Sequence, residues 1–272
     1  MQVVRTLGGA LRVIAHLLTG AGIADAVAGH LGGRPRWVPA VVRWWCSRLC
    51  RALGLRISVT GGHADNALLV ADHVSWLDVP VLGAQGEIGF LSKAEVRGWP
   101  LIGWMAETAG TLFIERGGNQ ANELVEQIGE RIRRDGRVAL FPEGTTTDGR
   151  TINRFHARLF AAAAQPRVWI QPVALRYGRQ GDPDRVAPFV GEDDLVSHLL
   201  RLLRHPQLEA GLMLLPPFQA GDLDRRRIAG RCRSMIADAL ELGPASRIPS
   251  ALGLVQSVDS ALAPSTPVGE TS

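Results

Sequence analysis

Lysine is almost missing from this 272-residue chain: Lys93 is the only one, so nearly all of its 30 basic residues are arginine. The net charge is only +4, and the basic isoelectric point near 9.6 reflects that arginine usage. Genome composition and selection for phosphate or lipid headgroups both produce such a bias, and the sequence leaves the two open. Nothing in the pattern points to a nucleic-acid partner. Cysteine is scarce too: Cys46, Cys50 and Cys232 are an odd number without a C-x-x-C spacing, which excludes a paired disulfide framework and argues against a zinc knuckle. A reducing compartment follows. No Gly-x-Ser-x-Gly occurs, so the nucleophile elbow of α/β-hydrolases is excluded. There is no internal repeat. The apolar stretch at residues 1–20 is interrupted by Arg5, Arg12 and His16, falls short of the roughly 20 apolar residues of a spanning helix, and precedes no persuasive cleavage site. Neither a secretion signal nor a transmembrane helix is expected from it.

What is present suits one large catalytic domain with appendages, since 46% of the residues are hydrophobic. Residues 1–20 read as an apolar or amphipathic helix, and 21–36 as a Gly/Ala-rich break ending at Arg34, Pro35 and Arg36. Val38, Val41, Val42, Trp45, Cys46 and Leu49 then recur at helical spacing, with Arg43, Ser47, Arg48 and Arg51 opposite. That helix, with tryptophans at 37, 44 and 45, suits a bilayer interface, or equally a surface helix packed on the core. The expected organisation is an interfacial helical segment at 1–53, a catalytic domain at 54–242 and a flexible tail rich in Pro, Ser and Gly at 243–272.

Within the middle segment short β-like runs alternate with helical ones. Strands are predicted near 56–60, 66–71, 87–91, 111–114, 137–141, 168–174 and 210–215, with helices at 119–134, 192–205 and 222–241. In the first helix Ala121, Leu124, Val125, Ile128 and Ile132 form one stripe, and Gly136 stops it. Such alternation predicts an α/β fold: a mixed, largely parallel central sheet flanked by helices.

Three charged segments each follow a predicted strand. In Asp72-His73-Val74-Ser75-Trp76-Leu77-Asp78 a histidine on a strand-to-helix loop can meet a carboxylate in the helix's first turn, which fixes its tautomer and leaves the other ring nitrogen as a base. The same Ser75-x-x-Asp78 spacing is a capping-box signature. A metal reading of His63, Asp65, Asp72, His73 and Asp78 lacks any recognised ligand spacing. Phe113-Ile114-Glu115-Arg116-Gly117 offers an arginine able to grip an anion bidentately, or to pair with a surface acid. Phe141-Pro142-Glu143-Gly144-Thr145 puts a carboxylate and permissive backbone at the strand ends, where open α/β sheets bind ligands, although a plain turn reads the same way.

Together with the apolar Ile170-Gln171-Pro172-Val173, these segments resemble the four ordered motifs of the glycerolipid acyltransferase family, which includes the 1-acylglycerol-3-phosphate acyltransferases. The resemblance spans roughly 55–240, and the ordered set is far more specific than any member. It implies His73 as general base, Asp78 as its orienter, Arg116 as an anion-binding residue, and Glu143, Gly144 and Thr145 as part of the acceptor site, with Lys93 a positively charged substrate-binding residue near it. It further implies no cofactor or metal, acyl-CoA or acyl carrier protein as donor, and a lysolipid acceptor at the cytoplasmic face of a membrane, the protein being peripheral or monotopic. The acceptor expected first is 1-acylglycerol-3-phosphate, giving phosphatidic acid in phospholipid biosynthesis. The stretches His73 to Asp78 and Phe141 to Gly149 also look like bacterial lyso-ornithine lipid acyltransferases. A non-catalytic lipid-binding protein of this fold, or a hydrolase in which His73 activates water, are the other readings. Asp72 replaces the family's usual asparagine, and His156 stands where relatives often have lysine or arginine. Asp72 is expected to raise the basicity of His73 or to repel an anionic acceptor.

Overall fold

A computed structural model describes residues 2–30, 35–114, 121–164, 168–179, 182–205 and 207–242. The expected tail at 243–272 and the expected anion clamp Arg116 lie outside them.

The run Ala67–Ala71 (β2) is apolar at every position and all five residues are buried, so it can only be a central strand covered on both faces. It pairs in parallel with Arg137–Leu140 (β5) on one side and Trp169–Arg179 (β6) on the other. Beyond β5 lie Gly89–Lys93 (β3) and Leu112–Ile114 (β4), both parallel. Beyond β6 the direction reverses: Leu208–Leu214 (β8) is antiparallel to it and parallel to Leu55–Thr60 (β1) at the edge. Two short strands, Asp182–Pro183 (β7) and Phe218–Gln219 (β9), also run against β6. The main order is β1-β8-β6-β2-β5-β3-β4, a mixed, largely parallel sheet as the alternation predicts. Pro172 sits where β6 passes from β9 to β8 as its partner, a position where a strand tolerates a missing N–H donor.

Alternation along β2 splits the core. Ala67, Leu69 and Ala71 face the layer built from Gln2–Ala28 (α1), Val38–Ala52 (α2), Asp78–Gly83 (α3) and Leu195–Arg204 (α7). Leu68 and Val70 face Ala121–Asp135 (α6), the 3-10 stretch Ala157–Ala164 and Arg225–Ala239 (α8). Two small helices, Ala94–Arg97 (α4) and Ile102–Thr108 (α5), link β3 to β4. In α6, Ile128 and Ile132 are buried, and Gly136, at positive φ, donates to Ile132 O to end the helix.

The N-terminal helices correct the sequence expectation twice. First, α1 does not break in the Gly/Ala stretch but continues to Ala28, and its segment Thr6–Ala28 is long and apolar enough to cross a membrane by length and composition. Second, the apolar stripe of α2 is largely a core face: Val38, Cys46, Leu49 and Cys50 are buried, while Trp37 and Trp44 remain exposed. α1 is inverted relative to an ordinary surface helix. The residues it buries recur as Gly9, Val13, His16, Gly20, Ala24 and Val27, whereas Leu7, Leu11, Ile14 and Leu18 are 53–67% exposed. Small buried residues let the backbones approach closely. His16 closes the α1–α2 contact by donating from Nε2 to Trp45 O at 2.9 Å and stacking on the Trp45 ring at 4.8 Å.

A Cβ on Gly20 would lie 2.5 Å from Trp45 Nε1 and 2.3 Å from Met105 Cε. Gly20→Leu is therefore expected to push α1 off its seat and cost about 1–3 kcal/mol by overpacking. Thermal unfolding beside Gly22→Leu, which meets nothing within 4 Å, checks this, with a loss specific to position 20.

Candidate active site

The parallel strands β6, β2, β5, β3 and β4 end along one edge of the sheet, so the segments that follow β2 and β5 leave from neighbouring positions. Lys93 ends β3 at the same edge, opposite Ile114 of β4. That edge is where open α/β sheets hold their ligands.

Asp78 begins α3, yet its carboxylate reaches back over the loop before it. Oδ2 accepts the Val74 N–H at 2.8 Å, the Ser75 N–H at 2.9 Å and His73 Nδ1–H at 2.8 Å. Oδ1 accepts the Tyr177 hydroxyl from β6 at 2.7 Å. The capping-box geometry and the histidine pair are thus one arrangement: the acid caps two loop amides and orients the imidazole with the same oxygen. Ser75 Oγ has no partner among the described residues, so the reciprocal half of a capping box is not made. With Nδ1 committed, His73 keeps Nε2 for chemistry, and its side chain is 20% exposed while that of Asp78 is fully buried. Phe141 stacks on the ring at 4.3 Å and limits its tilt.

Glu143 is turned inward. Its Oε1 accepts the His73 N–H at 2.8 Å and its Oε2 the Asn153 N–H at 2.7 Å, so this buried side chain ties the histidine loop to the segment after β5. Both oxygens of Glu143, expected from sequence at the acceptor site, are thus engaged by backbone amides. Burial pushes its carboxyl above the ordinary range, against the opposing effect of the two amides. Gly144 adopts φ +68° beside the His156 ring, which would lie 3.2 Å from an added Cβ. Thr145 is exposed on the same turn and makes no hydrogen bond to the described residues.

Asp72 answers the question its sequence position raised. It is 2% exposed and accepts the Leu175 N–H of β6 at 2.8 Å, substituting for the strand ladder just where β2 ends. Burial, with Asp78 and Glu143 nearby, pushes its carboxyl well above the usual carboxylate range. The expected negative charge beside His73 is thereby opposed. In accepting the Leu175 N–H, Asp72 makes the hydrogen bond that an asparagine side-chain oxygen would make.

The sequence reading missed Tyr177, although it is the chain's only tyrosine and continues a predicted strand. It also missed that Gln171 of the fourth segment is a buried brace, donating to Gly62 O and Leu215 O and accepting from Ala64 N. The three cysteines are buried and burial pushes each thiol up to about 12, which suits packing rather than nucleophilic attack. Among the described residues no three His, Cys, Asp or Glu side chains converge as metal ligands.

A family model described as acyltransferase matches residues 56–176, which contain both motif loops and most of β6. The lyso-ornithine lipid O-acyltransferase of Pseudomonas aeruginosa is 47% identical over 201 residues, covering 74% of this chain and 78% of that protein. This chain belongs to the acyltransferase family. A second relative of the same name, from Rhodobacter capsulatus, is 35% identical over 78% of this chain and 79% of its own length. The 1-acyl-sn-glycerol-3-phosphate acyltransferase of Neisseria gonorrhoeae is 28% identical over 66% of this chain and 73% of its own. The crystal structure of the 1-acyl-sn-glycerophosphate acyltransferase of Thermotoga maritima shares the acyltransferase fold at TM-score 0.64, with 17% identity over 92% of this chain and 100% of that one.

Asp72 generates a prediction with a definite sign. A folded-state pKa raised above the unfolded value contributes stability below the unfolded value and loses it as pH rises toward the folded one. Asp72→Asn keeps an acceptor for Leu175 N–H and removes the ionisable group. The variant should gain thermal stability over the wild type as pH rises from about 4, with the two converging in acid. Melting temperatures across pH check it.

Proposed function

We propose that this acyltransferase transfers a fatty acyl group from a soluble thioester, acyl-CoA or acyl carrier protein, to the free hydroxyl of lyso-ornithine lipid. The observation that carries acyl transfer is the His73–Asp78 pair with Nδ1 committed and Nε2 left over. In this mechanism Nε2 takes the proton of the acceptor hydroxyl as its oxygen attacks the thioester carbonyl. The tetrahedral adduct collapses, the C–S bond breaks, and the departing thiolate takes the proton from His73. Asp78 keeps the tautomer and balances the transient imidazolium. No covalent enzyme intermediate forms.

The order of similarity supports this acceptor over 1-acylglycerol-3-phosphate: 47% and 35% identity to enzymes named for lyso-ornithine lipid, against 28% to one named for the phosphate. Ornithine presents a carboxylate, which Lys93 at the sheet edge and Arg116, the clamp expected from sequence, would accept as readily as a phosphate.

A lysolipid keeps its chain in the bilayer while the thioester arrives from water, so the enzyme must sit at the interface. The exposed stripe Leu7, Leu11, Ile14 and Leu18 on α1 supports docking with that helix lying in the membrane plane at the cytoplasmic face. The interfacial role thus falls on α1, with Trp37 and Trp44 of the α2 region beside it, in place of the whole 37–51 segment.

Two measurements test the proposal. With a labelled acyl thioester and a panel of lysolipids, the wild type should acylate lyso-ornithine lipid most efficiently, and His73→Ala should lose at least about a hundredfold in rate; preference for 1-acylglycerol-3-phosphate would reassign the acceptor. In vesicle flotation, the quadruple serine substitution at 7, 11, 14 and 18 should release the protein while leaving its melting temperature unchanged, whereas undiminished binding would remove α1 as the dock.

A further inference from the structure

His198 lies on α7, far in sequence from the motifs, and is completely buried. Its Nδ1 accepts the Trp76 Nε1–H at 2.9 Å, and Trp76 belongs to the segment that runs from His73 to Asp78. An acceptor nitrogen carries no proton, so the single ring proton must be on Nε2. There it points at two carbonyls, Val186 O at 3.0 Å and Pro188 O at 3.1 Å. Burial lowers the pKa of His198, in keeping with a neutral ring.

The segment those carbonyls belong to is a strap across the site. Asp184 Oδ1 folds it by accepting the Val186 and Ala187 amides. Phe189 then donates its N–H to Val74 O at 3.0 Å and accepts the Thr146 hydroxyl through its own carbonyl, so one residue bridges the loop after β2 and the loop after β5. The Phe189 ring meets the His198 imidazole edge-on at 5.2 Å.

We propose that His198 is a positioning residue for acyl transfer: with its ring proton on Nε2, it clamps the indole of Trp76 to the 184–190 strap and so fixes the loop that aims His73. Without it the part-buried indole N–H and Val186 carbonyl and the buried Pro188 carbonyl would lose this partner, which favours movement of the loop or the strap. The histidine loop would keep its bonds to Asp78, Glu143 and Phe189 but lose the restraint at Trp76. A loss of aim shows in turnover rather than in substrate affinity, because small misplacements of a reacting group cost rate.

The inference rests on the acyl-transfer reading, and the experiment separates the two. Full-length wild type, His73→Ala, His198→Asn, His198→Gln and Trp76→Phe are assayed on vesicles with one thioester donor. Asparagine places an oxygen where Nδ1 accepts from Trp76, whereas glutamine places an amide donor where Nε2–H meets the strap. His198→Asn, His198→Gln and Trp76→Phe each cut one half of the clamp and should each lower kcat about tenfold at unchanged donor KM. The double variant Trp76→Phe with His198→Gln should fall no further than either single change, since both remove one interaction. Undiminished kcat in either His198 variant, multiplying effects in the double variant, or a change confined to KM would each overturn the clamp. Activity retained by His73→Ala would instead overturn the base assignment.

Discussion

A carboxylate taken completely out of water must have its lone pairs answered by donors, and the Asp78 side chain has four: two backbone amides, an imidazole N–H and a phenol. An unpaired ion at such a position would be costly enough to unfold its surroundings. The requirement therefore dictates the shape of the loop from His73 to Leu77, because only one path brings both amides and Nδ1 to the same oxygen. It also reaches across the sheet, since the hydroxyl of Tyr177 arrives from β6, a strand adjacent to β2. Asp78 is at once the anchor of the loop, the orienter of the His73 imidazole and a tie between strands.

The other acids obey the same rule with different results. Glu143 meets it by accepting two amides from separate segments, and Asp72 by accepting one amide while burial favours its protonated form. The three carboxyl groups are absorbed into the scaffold and His73 is the titratable group of the cluster left facing solvent. A polar network satisfied in this way is rigid, which suits the role of base proposed for His73.

Most of the sheet was legible because its signals are local. An apolar run of five residues, bounded by turns, can hardly be other than a buried strand, and the helix at 121–135 carries its period openly. The order of the motifs pointed to one sheet edge, and the first and third do leave from neighbouring strands there. What sequence could not give was direction. A carboxylate on a loop reads the same whether it faces substrate or backbone, and nothing local to Glu143 says that it faces the His73 N–H. Nor does Gly/Ala-rich sequence separate a break from a helix: Gly9 and Gly20 lie against Leu203 and Trp45, Gly22 meets nothing within 4 Å, and the helix runs on to Ala28. The stripe on α2 showed amphipathicity and nothing about whether lipid or protein meets it. His198 gave no signal at all, because its partners are 122 residues away at Trp76 and two backbone carbonyls.

The inverted pattern of α1 decides how the chain can use a helix long enough to span a bilayer. Inserting Thr6–Ala28 across a membrane would withdraw Val13 from the core, break the His16 bond to Trp45 and strip the cover from α2. Keeping α1 seated leaves those contacts intact and still offers Leu7, Leu11, Ile14 and Leu18 to lipid. Burying four aliphatic side chains is worth roughly 6–12 kcal/mol as an upper limit, before the entropy lost on docking is subtracted. That is enough for reversible attachment, and it requires no rearrangement of the domain. The glycines that deny α1 an ordinary core face are thus what permit its large side chains to point outward, so the same packing that completes one side of the α/β sandwich also builds its apolar exterior.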